Sequence, residues 1–136
     1  MPITKESTLQ EKWQRITEKT EFAYQPIVAS HSGNIFGFEA LLRNVPAAGF
    51  ATIDALFDTA CEENIIYYTD LLLREKAISG FCALKSGDEK LFYNLDSRVI
   101  NMPDYKKENT QAFYTPMVTL MDNPCDKMKK LFITIF

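Results

Sequence analysis

The sequence predicts an α/β fold in which an antiparallel strand pair leads into a βαβ unit. Three observations carry this. Two apolar, aromatic runs at 22–28 and 34–42 flank a polar loop, Ala29-Ser30-His31-Ser32-Gly33, of hairpin length. A long stretch with helical periodicity follows. A third apolar run at 91–95 then returns, and a helical crossover of that length implies a strand parallel to the second.

Composition bounds the function. The chain has 136 residues, enough for one domain with a core of its own. Hydrophobic residues make up 46% and charged residues 24%, the balance of a globular chain rather than a disordered one. A net charge of -3 and a pI near 5.2 give no pull toward nucleic acid polymers or anionic membranes. No run reaches the ~18 apolar residues that span a bilayer. The polar start, Met1-Pro2-Ile3-Thr4-Lys5-Glu6, lacks an apolar signal core. Cys61, Cys82 and Cys125 are odd in number and widely spaced, as expected of free thiols. A cytoplasmic protein is therefore expected.

The elements follow in order. Residues 7–19 read as a first helix, with Ser7 as cap and Leu9, Trp13 and Ile16 forming one apolar stripe. Strand 22–28 carries Pro26, which lacks an N–H and belongs at an edge or bulge. Gln25 in that strand is expected as a buried amide that needs partners. His31, the only histidine, falls in the hairpin loop and reads as a solvated turn residue rather than a general base.

Glu39 is the anomaly of the second strand. No other charge lies between Ile35 and Leu42, and a buried carboxylate is costly unless paired or metal-bound. Strand parity puts Gly37, Glu39, Leu41 and Arg43 on one face. Glu39 and Arg43 would lie about 13 Å apart at ~3.3 Å per residue, a spacing suited to two parts of one ligand.

Residues 44–49 form a Pro- and Gly-punctuated loop. Ile53, Leu56, Phe57, Ala60 and Cys61 then define an amphipathic helix opened by Thr52 or Asp54. Asn64 interrupts it, and a more uniformly apolar helix runs from 66 to about 80. Asp70 in that helix is expected at the surface or in a capping role as readily as in a site. Residues 86–90 read as a turn. Asn94 then repeats the anomaly of Glu39: a polar group in an apolar strand, on the face of Phe92 and Asp96.

Tyr24-Gln25-Pro26-Ile27-Val28 followed by Gly37-Phe38-Glu39-Ala40-Leu41-Leu42-Arg43 resembles the opening of the EAL domain, the bacterial cyclic di-GMP phosphodiesterase module. The resemblance implies a modified TIM barrel whose first strand runs antiparallel to the others. It implies that Glu39 and Asn94 are metal ligands, for Mg²⁺ or Mn²⁺. It implies that Gln25 and Arg43 bind substrate, cyclic di-GMP, with Arg43 on a phosphate. Hard oxygen donors suit those cations, and the planar fork of arginine suits a phosphate.

A full barrel typically takes ~250 residues. The expected organisation is therefore an N-terminal helix at 1–20, a partial EAL domain at 21–105 and a divergent tail at 106–136, the product of truncation with a frameshift near 107–111. Asp122-Asn123-Pro124-Cys125-Asp126 reads as a turn, and the final run, 131–136, as a bare apolar edge. No catalytic residue is identified in the chain. It is expected to be inactive alone and to form a homodimer or be poorly soluble. The alternatives are a non-catalytic regulator that binds protein or dinucleotide, and an inactive gene remnant.

Overall fold

The structure, a computed structural model, describes residues 4–84 and 90–105 and the backbone of 131–135. Helix α1 spans Lys5–Glu18. Its cap is Thr4, whose Oγ1 accepts from the Ser7 N–H at 3.1 Å, so the helix begins earlier than a Ser7 cap would allow. Strands β1 (Glu21–Val28) and β2 (Ile35–Arg43) form the expected hairpin. Gly33 closes it with φ 74°, a conformation that glycine adopts without strain, and its N–H bonds the Ala29 carbonyl at 2.8 Å. Helix α2 (Ile53–Glu62) is capped by Thr52 and followed by Asn64 in the left-handed region, φ 57°. Helix α3 runs from Ile66 to Ala83. Strand β3 (Lys90–Leu95) and strand β4 (Leu131–Ile135) complete the sheet.

Strand order is β1-β2-β3-β4. The first pair is antiparallel, with Gln25 opposite Glu39, and β2–β3 is parallel, with Glu39 opposite Phe92. This is the antiparallel first strand followed by a parallel βαβ return that the sequence predicts. Strand β4 pairs parallel with β3, Asn94 standing opposite Thr134. The final apolar run is thus built into the sheet rather than left as a bare end. The turn expected at 86–90 lies largely outside the described residues. So do the proposed frameshift at 107–111 and the turn at 122–126.

One face of the sheet packs on the helices. Alternation along β3 buries Leu91, Tyr93 and Leu95 and leaves Phe92 and Asn94 half-buried on the other side. Ala40, Ala77, Ile78, Phe81, Leu91 and Tyr93 form a core between α3 and the strands. Trp13, Leu56, Ile66, Leu95 and Val99 anchor a second, between the helices. Helix α3 serves both, which accounts for its lack of a single apolar stripe.

Polar ties reinforce α3. Lys76 reaches back to the C-terminal end of α1, where its Nζ donates to the carbonyls of Thr17 (2.9 Å), Glu18 (3.0 Å) and Thr20. A cation there meets the negative end of the helix dipole and satisfies carbonyls that have no partner within the helix. Burial lowers the Lys76 pKa from its ordinary value.

Candidate functional site

The exposed face of the sheet carries the polar residues singled out in the sequence. Glu39 lies in the middle of β2 and Asn94 near the end of β3. The Asn94 amide nitrogen donates to Glu39 Oε1 at 3.0 Å. Both side chains are half-buried. Parallel pairing of β2 with β3 puts them on the same side, which is why two polar residues distant in sequence meet. The carboxylate that looked orphaned in an apolar strand thus has a neutral hydrogen-bond partner rather than a countercharge.

Gln25 stands directly across the ladder from Glu39. It is exposed rather than buried, because no layer among the described residues covers that face of β1. Its amide has no buried hydrogen-bonding need of its own. Arg43 is exposed at the end of β2, opposite Glu21, and its Nη1 donates to the Leu42 carbonyl at 2.9 Å. Arg43 and Asn94 line one cavity of about 320 Å³ beside the C-terminal ends of β2 and β3, with Leu41, Asp54 and Asp96 at its wall. The structure therefore joins Glu39 to Asn94 and Asn94 to Arg43, while Gln25 shares the sheet face without lining the cavity.

Sequence reasoning missed Asp54 and Asp96 in the cavity wall. Asp96 is held by Arg98, whose Nε and Nη2 fork onto its two carboxylate oxygens at 3.1 and 2.8 Å. The hydrogen bonds from Arg98 keep the Asp96 carboxyl below its ordinary pKa. Arg98 also donates from Nη1 to Asp58 on α2 at 2.7 Å, tying the strand end to that helix. The Asp-x-Arg spacing after β3 is the signal in the sequence.

Asp70 is a correction. It is neither exposed nor a cap but fully buried, 0% accessible, between α3 and β3. Arg74, one turn on, contacts its Oδ2 at 2.5 Å, and the Tyr93 hydroxyl donates to its Oδ1 at 2.9 Å. Burial pushes the Asp70 carboxyl up to about 6 against the pull of Arg74, and it drives the Tyr93 phenol well above its ordinary value.

For a cation, Glu39 and Asn94 supply hard oxygen donors of the type Mg²⁺ and Mn²⁺ prefer. Among the described residues, no group of three or more His, Cys, Asp or Glu side chains is gathered to hold a metal. As placed, the Asn94 amide nitrogen rather than its oxygen faces Glu39, so the two side chains do not present oxygens to one point, and two donors fall short of a two-metal centre.

The chain matches no protein-family model and no curated protein. Its fold is similar to that of Klebsiella pneumoniae BlrP1, solved with FMN and cyclic di-GMP and without metal ions, at a TM-score of 0.59 and 21% identity. The match covers 86% of this chain and 28% of that one, so the chain spans less than a third of its structural neighbour. At this identity the likeness shows a shared fold. No helix among the described residues is long and apolar enough to cross a membrane.

Proposed function

We propose that this chain is a partial EAL-type module of cyclic di-GMP signalling. The observation that carries the reading is the Asn94–Glu39 hydrogen bond, which joins the two sequence anomalies on the open face of adjacent parallel strands. The EAL-like motifs of β1 and β2 and the fold shared with a protein solved with cyclic di-GMP support it. In this reading the Asn94 amide turns over, exchanging its N–H bond to Glu39 for a position in which its oxygen and the Glu39 carboxylate hold one Mg²⁺ or Mn²⁺. Arg43 turns from the Leu42 carbonyl to a phosphate, and Gln25 orients the dinucleotide. The bound cation would polarise a phosphoryl oxygen, while the residues themselves bind and orient.

Glu39 and Asn94 are fewer ligands than a two-metal hydrolytic centre needs, which favours binding without useful turnover by this chain. A non-catalytic regulator built on the same scaffold is the second reading, and the same ligand count favours it. The experiment is equilibrium binding of Mn²⁺ and of cyclic di-GMP to the purified chain, with the linear product followed in parallel. Wild type should bind Mn²⁺ and Glu39→Ala should not. Equal Mn²⁺ binding by both proteins would remove the cation site from the reading. Turnover that vanishes in Glu39→Ala would overturn the non-catalytic reading instead.

A further inference from the structure

The tyrosines of β1 and β3 both reach helix α3, but they serve different neighbours. Tyr24 on β1 donates to the Ala77 carbonyl at 2.6 Å. Tyr93 on β3 donates to Asp70 Oδ1 at 2.9 Å. Asp70 and Ala77 lie two helical turns apart, so both anchors stand on one side of α3. Strand β2, between them, meets the same helix through Ala40, which offers no polar anchor.

The β2–β3 ladder decides which anchor matters for Asn94. Its paired residues run from Gly37–Lys90 to Ala40–Tyr93 and end there. Asn94 lies just beyond the last pair, so the ladder to β2 does not itself fix its distance from Glu39. On its other edge β3 stays paired with β4 through Asn94–Thr134 and Leu95–Ile135, and Tyr93 is the last residue tied to β2, the strand that carries Glu39. The Tyr93 ring is buried under the Arg74 guanidinium, 5.8 Å from the ring centre, and its hydroxyl is held by Asp70. Successive strand residues point to opposite faces, so a hydroxyl pinned on the helix side sets the height of the amide on the open side.

We infer that Tyr93 is a positioning residue for Asn94, its hydroxyl bond to Asp70 holding the end of β3 at the height where the Asn94 amide meets Glu39. This rests on the reading of Glu39 and Asn94 as a ligand pair. The geometric claim, however, is tested without metal.

The readout is the side-chain amide signal of Asn94 in apo protein by ¹⁵N NMR, which reports its bond to Glu39 through chemical shift and slowed exchange with water. Tyr93→Phe keeps the ring and removes the hydroxyl. The expected result is loss of the protected Asn94 signal. Tyr24→Phe removes the other anchor hydroxyl and should leave the signal in place. Asp70→Asn breaks the ion pair with Arg74 but keeps an oxygen to accept from Tyr93, so the signal should survive despite lower stability. An unchanged signal in Tyr93→Phe overturns the inference, as does an equal loss in Tyr24→Phe. Should Tyr93→Phe not fold, the double variant Asp70→Leu/Arg74→Met decides, because it removes the acceptor of the Tyr93 hydroxyl without leaving a buried charge unpaired: a lost signal supports the inference and a protected one overturns it. If the signal behaves as expected but wild type binds no Mn²⁺, the functional reading fails and the positioning role stands.

Discussion

Replacing Gly80 by alanine should destabilise this protein, although helix propensity alone predicts the reverse. Gly80 lies within α3, where Ala is favoured over Gly by about 1 kcal/mol. A Cβ at Gly80 would overlap the Tyr24 hydroxyl, and the next ring atom, Cζ, would lie 3.2 Å away. The ring must retreat, and its 2.6 Å bond to the Ala77 carbonyl breaks. Leaving that partly buried bond unmade costs about 1–3 kcal/mol. Forcing extra volume into the packed contact costs a further 1–3 kcal/mol or so. Set against the propensity gain, the net loss is about 1–5 kcal/mol. Urea unfolding of Gly80→Ala measures it directly. The double variant Tyr24→Phe/Gly80→Ala sharpens the test, because removal of the hydroxyl leaves only the tight 3.2 Å contact to the ring. Alanine should then cost little, giving a coupling energy of about 1 kcal/mol or more. A Gly80→Ala protein more stable than wild type would refute the reasoning, as would an equal effect of alanine in both backgrounds.

Asp70 should impose a pH dependence of unusual sign. Its folded pKa, about 6, lies above the ordinary 3.8, so the native state holds the proton more tightly than the unfolded chain. The stability this contributes is full below about pH 4 and is lost as pH rises through 6, by about 3 kcal/mol at 1.36 kcal/mol per pH unit. The difference between wild type and Asp70→Asn in unfolding free energy across that window isolates it; a flat difference would contradict the burial argument. Asp96 should act in the opposite sense, its pairing with Arg98 contributing stability above the ordinary carboxylate range that is lost as pH falls through its lowered pKa. Arg98→Met should abolish that acid-side loss, measured by the same titration. Lys76→Met should cost about 1–2 kcal/mol by removing the donor to three carbonyls at the end of α1. Hydrogen exchange should show α1 amides opening ahead of those in β2, and equal loosening of both would argue against a local tie.

The hairpin, its register and the parallel return were legible because alternation has a fixed period of two. Once 22–28 and 34–42 are strands, Gln25 and Glu39 share a face and Asn94 joins them from β3. Depth was less legible. Gln25 and Glu39 stand in similar apolar runs, yet one is exposed and the other half-buried, because coverage depends on layers that periodicity does not describe. Asp70 was misread for a related reason. Helix α3 is apolar on several sides, so a polar residue in it has no obvious solvent face. The Asp70–Arg74 spacing of one helical turn was the available sign of a buried pair. The apolar run at 131–135 reads as a strand in isolation. Its parallel partner, β3, is separated from it by too much chain for local rules to name.

The ties that converge on α3 also imply an order of assembly. Tyr93 and Asp70 are 23 positions apart, Tyr24 and Ala77 are 53, and Lys76 and Thr17 are 59. Loop-closure entropy rises only slowly with length, so the longest of these contacts costs under about 1 kcal/mol more than the shortest. Thermodynamics therefore barely separates them, but synthesis does. On a ribosome, α1 and β1 emerge first, and the helix that receives both is made some fifty residues later. Until then Leu9, Trp13 and Ile16 present an apolar stripe that only Phe50, stacked on Trp13, and residues of α2 can partly cover. The nascent chain is most vulnerable to mispairing in that interval, which ends when the turn of α3 bearing Lys76 and Ala77 leaves the exit tunnel.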